Sequence, residues 1–287
     1  MRSVPTIGDY PGRSESLAST PTISIVTTVR NAEKTLQRTI DSVREQRIPE
    51  LEYLVLDAGS TDGTIDIIRA NQDFITLWKS EPDRGISDGF NKGIALSRGK
   101  YVLLLNADDW LSPGQVALGI EVLEQTGAGF VFGDLIYHAV SGDQTHRISG
   151  EVNYADRIAH IMPGLNHPTI IVRRELYERF GLFDLNFRLA MDYELLLRFH
   201  RAGCVGIYDP RMVGHMTLDG ASVRNAGRAL REVRDASIRH GCSVTMARLR
   251  YAWRIFKWRS HLTLAGMPRP LYVWLRRRFN RNYVATC

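Results

Sequence analysis

The run Tyr101-Val-Leu-Leu-Leu105 is followed, with no intervening Gly or Pro, by Asn106, Ala107, Asp108 and Asp109. An amide and two carboxylates just past an apolar run present oxygen atoms, the ligands that hard cations such as Mg²⁺ and Mn²⁺ prefer. Such ions take one or two protein carboxylates and complete their shell with phosphate and water. A cation on a pyrophosphate neutralises the charge that grows as a nucleoside diphosphate departs. The same Asp pair also fits a plainer role, as acidic residues ahead of a helix that starts near Pro113.

Further residues have types suited to chemistry. Asp192 stands at the start of a helical stretch whose stripe is Met191, Leu195 and Phe199. There the helix dipole favours the carboxylate form, which can accept a proton from an attacking hydroxyl; a helix-start charge with no further role is the alternative. His167, in "LNHPTIIVRR", and His215, in "VGHMTLDGAS", each border an apolar run. His167 could face an acceptor or a diphosphate, His215 could approach the diphosphate or metal from the far side, and either could be a satisfied structural histidine. Arg173 and Arg174 read as surface helix charges.

The elements that must position these residues alternate. Thr22–Thr28 and Leu51–Leu56 are β-branched or apolar runs, and Leu36, Ile40 and Val43 between them have helical spacing. Ser60 is placed to cap a helix over 64–70, followed by a strand over 75–78, a helix over 89–97, the strand 101–105 and a helix over 114–125. This alternation predicts an α/β fold with a mainly parallel sheet and helices on both faces. Ligands of such sheets bind outside the carboxyl ends of the strands. Thr27-Thr28 with Arg30-Asn31, Asp57 with "GSTDG", and Asn106–Asp109 all fall at such ends. Neither a P-loop nor a G-x-G-x-x-G follows the first strand, which argues against NTPase and dinucleotide readings.

Four segments, "TISIVTTVRNAEKTLQRTIDSV", "LDAGSTDGT", "SEPDRGISDGFNKGIALSRGKYVLLLNADD" and "FDLNFRLAMDYELLLR", resemble in that order the inverting family 2 glycosyltransferases of the GT-A fold, especially bacterial members acting in surface-polysaccharide assembly. The resemblance covers about residues 22–220. It implies transfer of a sugar, with inversion, from a nucleotide-diphosphate donor, usually a UDP-sugar, with a divalent metal, Mn²⁺ or Mg²⁺. By the same resemblance, Thr28, Arg30 and Asn31 wall the nucleotide pocket and Asp57 bonds the uracil ring. Asp83 and Asp88, with Arg84 and Lys92, shape the donor site. Asn106-Ala107-Asp108 occupies the D-x-D position with Asp108 on the metal, and Asp192 is the general base. Asn106 departs from the usual Asp, which leaves Asp109 as a possible second metal ligand. The processive motif Q-x-x-R-W is absent, so transfer of a single sugar to a saccharide or lipid-linked acceptor is expected. A non-catalytic nucleotide-sugar-binding protein and a sugar nucleotidyltransferase are the rival readings.

Composition sets the remaining bounds. The 287 residues, 44% hydrophobic and 24% charged, suit a globular domain, and the three scattered Cys indicate neither a disulfide framework nor a zinc site. Residues 1–20, rich in Ser, Pro, Gly and Thr, read as a disordered leader; 21–220 read as the catalytic domain and 221–287 as a helical appendage. The appendage carries 15 Lys and Arg against Glu232 and Asp235, a net +13 in a chain whose total is +6. In "RLRYAWRIFKWRSHL", Leu249, Ala252, Trp253 and Phe256 form one apolar stripe and Tyr251, Ile255, Trp258 and Leu262 a second. A helix with two apolar stripes needs two neighbours. An anionic membrane surface, joined by "YVWLRRRF", is the expected second one, with a homodimer as the alternative and nucleic acid not favoured. The expected location is cytoplasmic, peripheral on the inner face of the cell membrane.

Overall fold

The computed structural model describes residues 4–10, 20–138, 145–217 and 225–265. In chain order the elements are β1 (Ile23–Val29), α1 (Leu36–Arg44), β2 (Leu51–Asp57), α2 (Thr64–Ala70), β3 (Leu77–Ser80), α3 (Ile86–Leu96), β4 (Tyr101–Asn106), β5 (Trp110–Leu111), α4 (Gln115–Thr126), β6 (Phe130–His138), β7 (Thr145–Ile148), α5 (Tyr154–Ile158), β8 (Ile171–Arg173), α6 (Arg174–Phe180), α7 (Met191–Arg201), β9 (Gly206–Thr217), α8 (Ala226–Arg239) and α9 (Val244–Ala265). The strands form one sheet in the order β3-β2-β1-β4-β8-β6-β9-β5, with β7 added to β6.

From β3 to β4 every pair is parallel, as the alternating pattern predicts. Beyond β4 the sheet is mixed: β8 runs antiparallel to β4 and β6, and β9 runs parallel to β6 but antiparallel to β5. The parallel half is apolar without interruption because each strand serves two cores. Ile23, Ile25, Tyr53, Val55, Leu103 and Leu105 pack with α1 and α4, while Val26, Leu54, Leu56, Val102 and Leu104 pack with α3 and α7. Leu36, Ile40 and Val43 of α1 are fully buried, at about 2 kcal/mol each. Helix α3 approaches β1 closely because Gly89 and Gly93 have no side chain; a Cβ at Gly93 would lie 2.1 Å from Val26 Cγ1.

Three sequence expectations change. Ser60 does not cap α2, whose N-cap is Gly63; its hydroxyl is turned to Asp57 instead. Residues 4–10 of the expected leader lie against the body: Leu182 N–H donates to Pro5 O (2.9 Å), and the Tyr10 hydroxyl donates to Asp88 Oδ1 (2.9 Å). The boundary after 220 divides what the fold joins, since Val233 and Ala236 of α8 belong to the α3/α7 core and Tyr193 of α7 shares a hydrogen bond with Ser237 (2.9 Å). Among the described residues no helix is long and apolar enough to cross a membrane. The "YVWLRRRF" segment and residues 1–3 and 11–19 of the expected leader lie outside the described residues.

Candidate active site

Strand register gathers the three polar ends at one edge. Thr28 of β1 pairs with Asn106 of β4, and Val29 pairs with Asp57 of β2. Because side chains alternate, Thr28 and Asn106 fall on the α3/α7 face and Asp57 on the opposite face.

Asp57 is only 2% exposed. Its two oxygens accept from Gly59 N–H (3.0 Å), Ser60 N–H (3.0 Å), the Ser60 hydroxyl and the Ser80 hydroxyl (2.5 Å). With these four donors in place, a further donor would reach the carboxylate only by replacing a serine hydroxyl. Asn31, in the left-handed region at φ 50, ties the neighbouring loop to it: its Oδ1 accepts from Thr61 N–H (2.9 Å), and its N–H donates to Ser60 Oγ (2.8 Å). Arg30 beside it is exposed.

On the other side of β1, a Cβ at Gly89 would meet Thr28 Cγ2 at 2.9 Å and Asp83 Oδ2 at 3.1 Å, so Thr28 and Asp83 converge over that glycine. Asp88 plays a different part. It is buried and accepts from Arg84 N–H (3.0 Å), the Arg84 guanidinium (2.9 Å) and Tyr10. Burial opposes its ionised form, but those hydrogen bonds outweigh burial and hold the carboxyl below its ordinary range. It therefore braces the start of α3, as Lys92 braces the preceding loop through Glu81 (2.7 Å) and Pro82 O (3.0 Å).

The Asp pair splits. Asp109 is fully buried, with Oδ2 accepting from the Asn106 amide (2.9 Å) and Oδ1 lacking a hydrogen-bond partner among the described residues. Burial, and then the neighbouring Asp108, pushes its carboxyl up to about 8. Asp109 has no exposed surface whereas Asp108 keeps some, so Asp108 is the more accessible of the two carboxylates. Asp108 stays half-buried at the edge; burial raises its pKa, against Arg38 and His167. Among the described residues no group of three His, Cys, Asp or Glu is arranged to hold a metal. Asp108 offers one carboxylate at the edge, which suits Mg²⁺ or Mn²⁺ only if diphosphate and water would supply the remaining ligands.

A scaffold that sequence reading missed holds this loop. Arg38 Nη2 donates to Asp108 O (3.1 Å), and the Thr39 hydroxyl donates to Asp109 O (2.8 Å). The Arg38 guanidinium lies 3.5 Å from the Trp110 ring centre, and His215 stacks on Trp110 with 2° between planes. His215 was expected near diphosphate or metal, but its Nε2 is 2.9 Å from Ser112 Oγ and its Nδ1 2.9 Å from His138 Nε2. Neither nitrogen is left for a ligand, and burial next to His138 lowers its pKa to about 4.

His167 sits in a 3-10 turn, His167–Thr169, and meets Asp192: Nδ1 lies 3.3 Å from Oδ2. Burial alone would lower its pKa, but Asp192, with Asp109 and Asp108 behind it, outweighs burial and raises it. The ring thus pairs with the expected base and also feels the charges of the D-x-D position. Its buried Nε2 has no hydrogen-bond partner among the described residues. A cavity of about 20 Å³, room for one water, adjoins both side chains.

Asp192 is held from a distance. Its helix α7 has no side-chain N-cap of its own. Instead Glu232 Oε2, from α8, accepts the N–H groups of Arg188 (2.9 Å), Leu189 (2.7 Å) and Ala190 (3.0 Å) just before the helix. No signal marked it in the sequence, where Glu232 is one of two acids, with Asp235, in an otherwise basic helix. Arg173 is likewise no surface charge: it donates to Ala128 O (2.7 Å) and Leu123 O (2.6 Å), satisfying carbonyls at the end of α4. Arg174 does pair at the surface, with Glu178 (2.7 Å).

Comparison with known proteins gives these features a context. The family model described as glycosyl transferase family 2 matches residues 24–181. An uncharacterized glycosyltransferase of Mycobacterium tuberculosis is 32% identical over 189 residues, 63% of this chain and 70% of the relative. A PGL/p-HBAD biosynthesis glycosyltransferase of Mycobacterium bovis is 25% identical over 265 residues, 90% of this chain and 99% of that protein. Among solved structures, S. aureus TarS 1-349 in complex with UDP-GlcNAc superposes with a TM-score of 0.62 at 14% identity, covering 88% of this chain and 78% of that one. The mannosyltransferase PcManGT from Pyrobaculum calidifontis, in complex with GDP-Man and Mn²⁺, gives 0.63 at 19% identity, covering 91% and 80%. The chain spans 41% of the longer TarS structure. These likenesses establish the GT-A fold.

Proposed function

The chain belongs to glycosyltransferase family 2, and we propose that it moves a single sugar, with inversion, from a nucleotide-diphosphate donor to a saccharide or lipid-linked hydroxyl in the assembly of a cell-surface glycan. The observation that carries the reading is the pairing of Asp192 with His167, a buried ring that also feels the charges of Asp108 and Asp109.

The steps follow from these residues. The Thr28, Asn31 and Asp57 loops receive the nucleotide, and a carboxylate at Asp57 accepts a base N–H, which favours uridine over cytidine. Asp108 faces the diphosphate; a divalent metal shared with it would neutralise the negative charge that develops on the leaving group. Asp192 Oδ2 is engaged by His167, leaving Oδ1 to take the acceptor's hydroxyl proton. As that oxygen bonds the anomeric carbon, the bond to the diphosphate breaks with its electron pair, and one base suffices. The mycobacterial relative, named for PGL/p-HBAD biosynthesis, supports glycosyl transfer in a biosynthetic role.

Calorimetry of UDP, GDP, dTDP and CDP, each with and without Mn²⁺, tests the donor half in wild type and Asp108→Ala. Metal-enhanced UDP binding that is lost in the variant is expected. Donor hydrolysis or transfer by wild type then separates the enzyme from a protein that only binds. Formation of nucleotide sugar from a nucleoside triphosphate and a sugar phosphate would instead mark a nucleotidyltransferase. Binding of none of the four would overturn the reading.

A further inference from the structure

Helix α9 rests on α8 through one face. Ala247 is buried, Tyr251 lies beneath the Arg234 guanidinium at 5.0 Å, and Arg250, Arg254 and Ile255 are half-buried. The opposite face carries Met246 (45% exposed), Leu249 (61%), Trp253 (58%) and Phe256 (61%), with Ala252 also exposed. At 100° per residue these five fall within one arc of about 120°, and exposed Arg248 and Lys257 stand at its two edges. Trp253 and Phe256 stack with centroids 5.8 Å apart, and Lys257 Nζ lies 5.6 Å from the Trp253 ring centre. Outward exposure of Leu249, Ala252, Trp253 and Phe256 matches the first of the two stripes expected from the sequence; the side chains of Trp258 and Leu262, in the second, lie outside the described residues.

We propose that this outer face of α9 docks the protein on an anionic lipid surface, lying in the plane of the headgroups. An apolar arc with an interfacial Trp and cations on both edges is the arrangement that buries to the headgroup boundary while its charges meet phosphate. Charge complementarity selects this occupant. Residues 226–257 hold eight Arg and Lys against two acids. Both acids are already engaged, Glu232 by the backbone before α7 and Asp235 by Arg234 (2.7 Å). A second copy placed on the same face about a two-fold axis would set one positive flank against another with no carboxylate between them. Docking here needs no particular donor sugar. It would hold the catalytic body, which α8 joins to α9, beside an acceptor carried on lipid.

The test is co-sedimentation of the full chain with phosphatidylcholine vesicles, either pure or containing about one third phosphatidylglycerol, at low and high salt. Binding to the anionic vesicles is expected to exceed binding to the neutral ones by about tenfold or more and to weaken as salt shortens the screening length from about 10 Å to 3 Å. Leu249→Ser with Trp253→Ser is expected to lose about tenfold, and Lys257→Glu at least about fivefold. Trp253→Phe keeps the apolar surface, so it should still bind while losing part of the vesicle-induced blue shift in fluorescence. Circular dichroism and UDP titration of the same samples separate a folding or donor-site failure from a docking failure. Three outcomes would overturn the proposal: no binding to anionic vesicles by folded protein, equal and salt-insensitive binding to both vesicles, or a dimer in sedimentation equilibrium that the double serine variant returns to monomer.

Discussion

Asp57 and Asp192 mark the two halves of the proposed site and are fixed by opposite means. Every donor to Asp57 comes from Gly59, Ser60 or Ser80, within one loop and the next strand. Asp192 meets a histidine from a separate turn, and the helix that carries it begins on a glutamate from α8. A motif that satisfies its own polar atoms keeps its geometry wherever the strand end is placed. A residue held by distant elements is correctly placed only in the finished fold, so the two halves should fail differently when disturbed.

The largest effect is expected from Asp192→Asn. An amide has the carboxylate's shape but cannot take the proton, so transfer should fall about 10²–10⁴-fold while donor affinity is retained. A companion Asp57→Asn should show the converse pattern, with nucleotide binding weakened more than turnover at saturating donor. Steady-state kinetics with calorimetry would collapse the comparison if both variants changed the same parameter.

Next comes Glu232→Gln. Three backbone N–H groups then face a neutral amide oxygen, and hydrogen bonds to charged acceptors are worth about 1.5–3 kcal/mol against about 1 for neutral ones. A stability loss of about 2 kcal/mol in denaturant melts is expected, with kcat reduced and nucleotide affinity unchanged. If stability and kcat were both intact, α8 would be a passive cover.

This contrast also explains what could be read from the chain. The strand-end half was legible because its signals are local: apolar runs give the strands, and "GSTDG" and "NADD" stand where a parallel sheet must place them. The exact partner of each residue was not. Asp108 and Asp109 are adjacent letters, and only the fold shows that one faces the edge and the other the core. His215 and Asp88, read as site residues, are instead absorbed by Trp110, Ser112 and His138 in one case and by Arg84 and Tyr10 in the other. Glu232 was counted as a charge because nothing in its neighbourhood reveals that residues 188–190 end on it.

His167→Gln sharpens the comparison at smaller scale. Glutamine can still donate to Asp192 but carries no charge, so a reduction in kcat of about tenfold with unchanged donor KM is expected, and the pH profile should move. The wild-type ring has a raised pKa. Its charged form therefore contributes stability that is full below its ordinary pKa of about 6.5 and is lost as pH rises through the raised value. The variant should lack that loss in melts recorded across neutral to alkaline pH.

The smallest and most selective test lies on the strand-end side, at Asp109. Burial holds its carboxyl at about 8, whereas an unfolded Asp titrates near 3.9. The folded protein therefore keeps a proton that the unfolded chain releases. The stability this gives is complete below about pH 4 and drains away as pH rises to about 8. Asp109→Asn removes the titration and supplies an N–H donor near Asn106 Oδ1, a buried acceptor without a partner among the described residues. Relative to wild type the variant should gain little at pH 4 and on the order of 1–3 kcal/mol by pH 8, read from thermal melts at each pH. A difference that stays flat across this range would mean that Asp109 is ionised in the fold, and the division of the pair into one surface ligand and one core residue would fail. A rising difference, with UDP affinity unaltered, would show that Asp109 sets the shape of the loop and leaves the chemistry to Asp108.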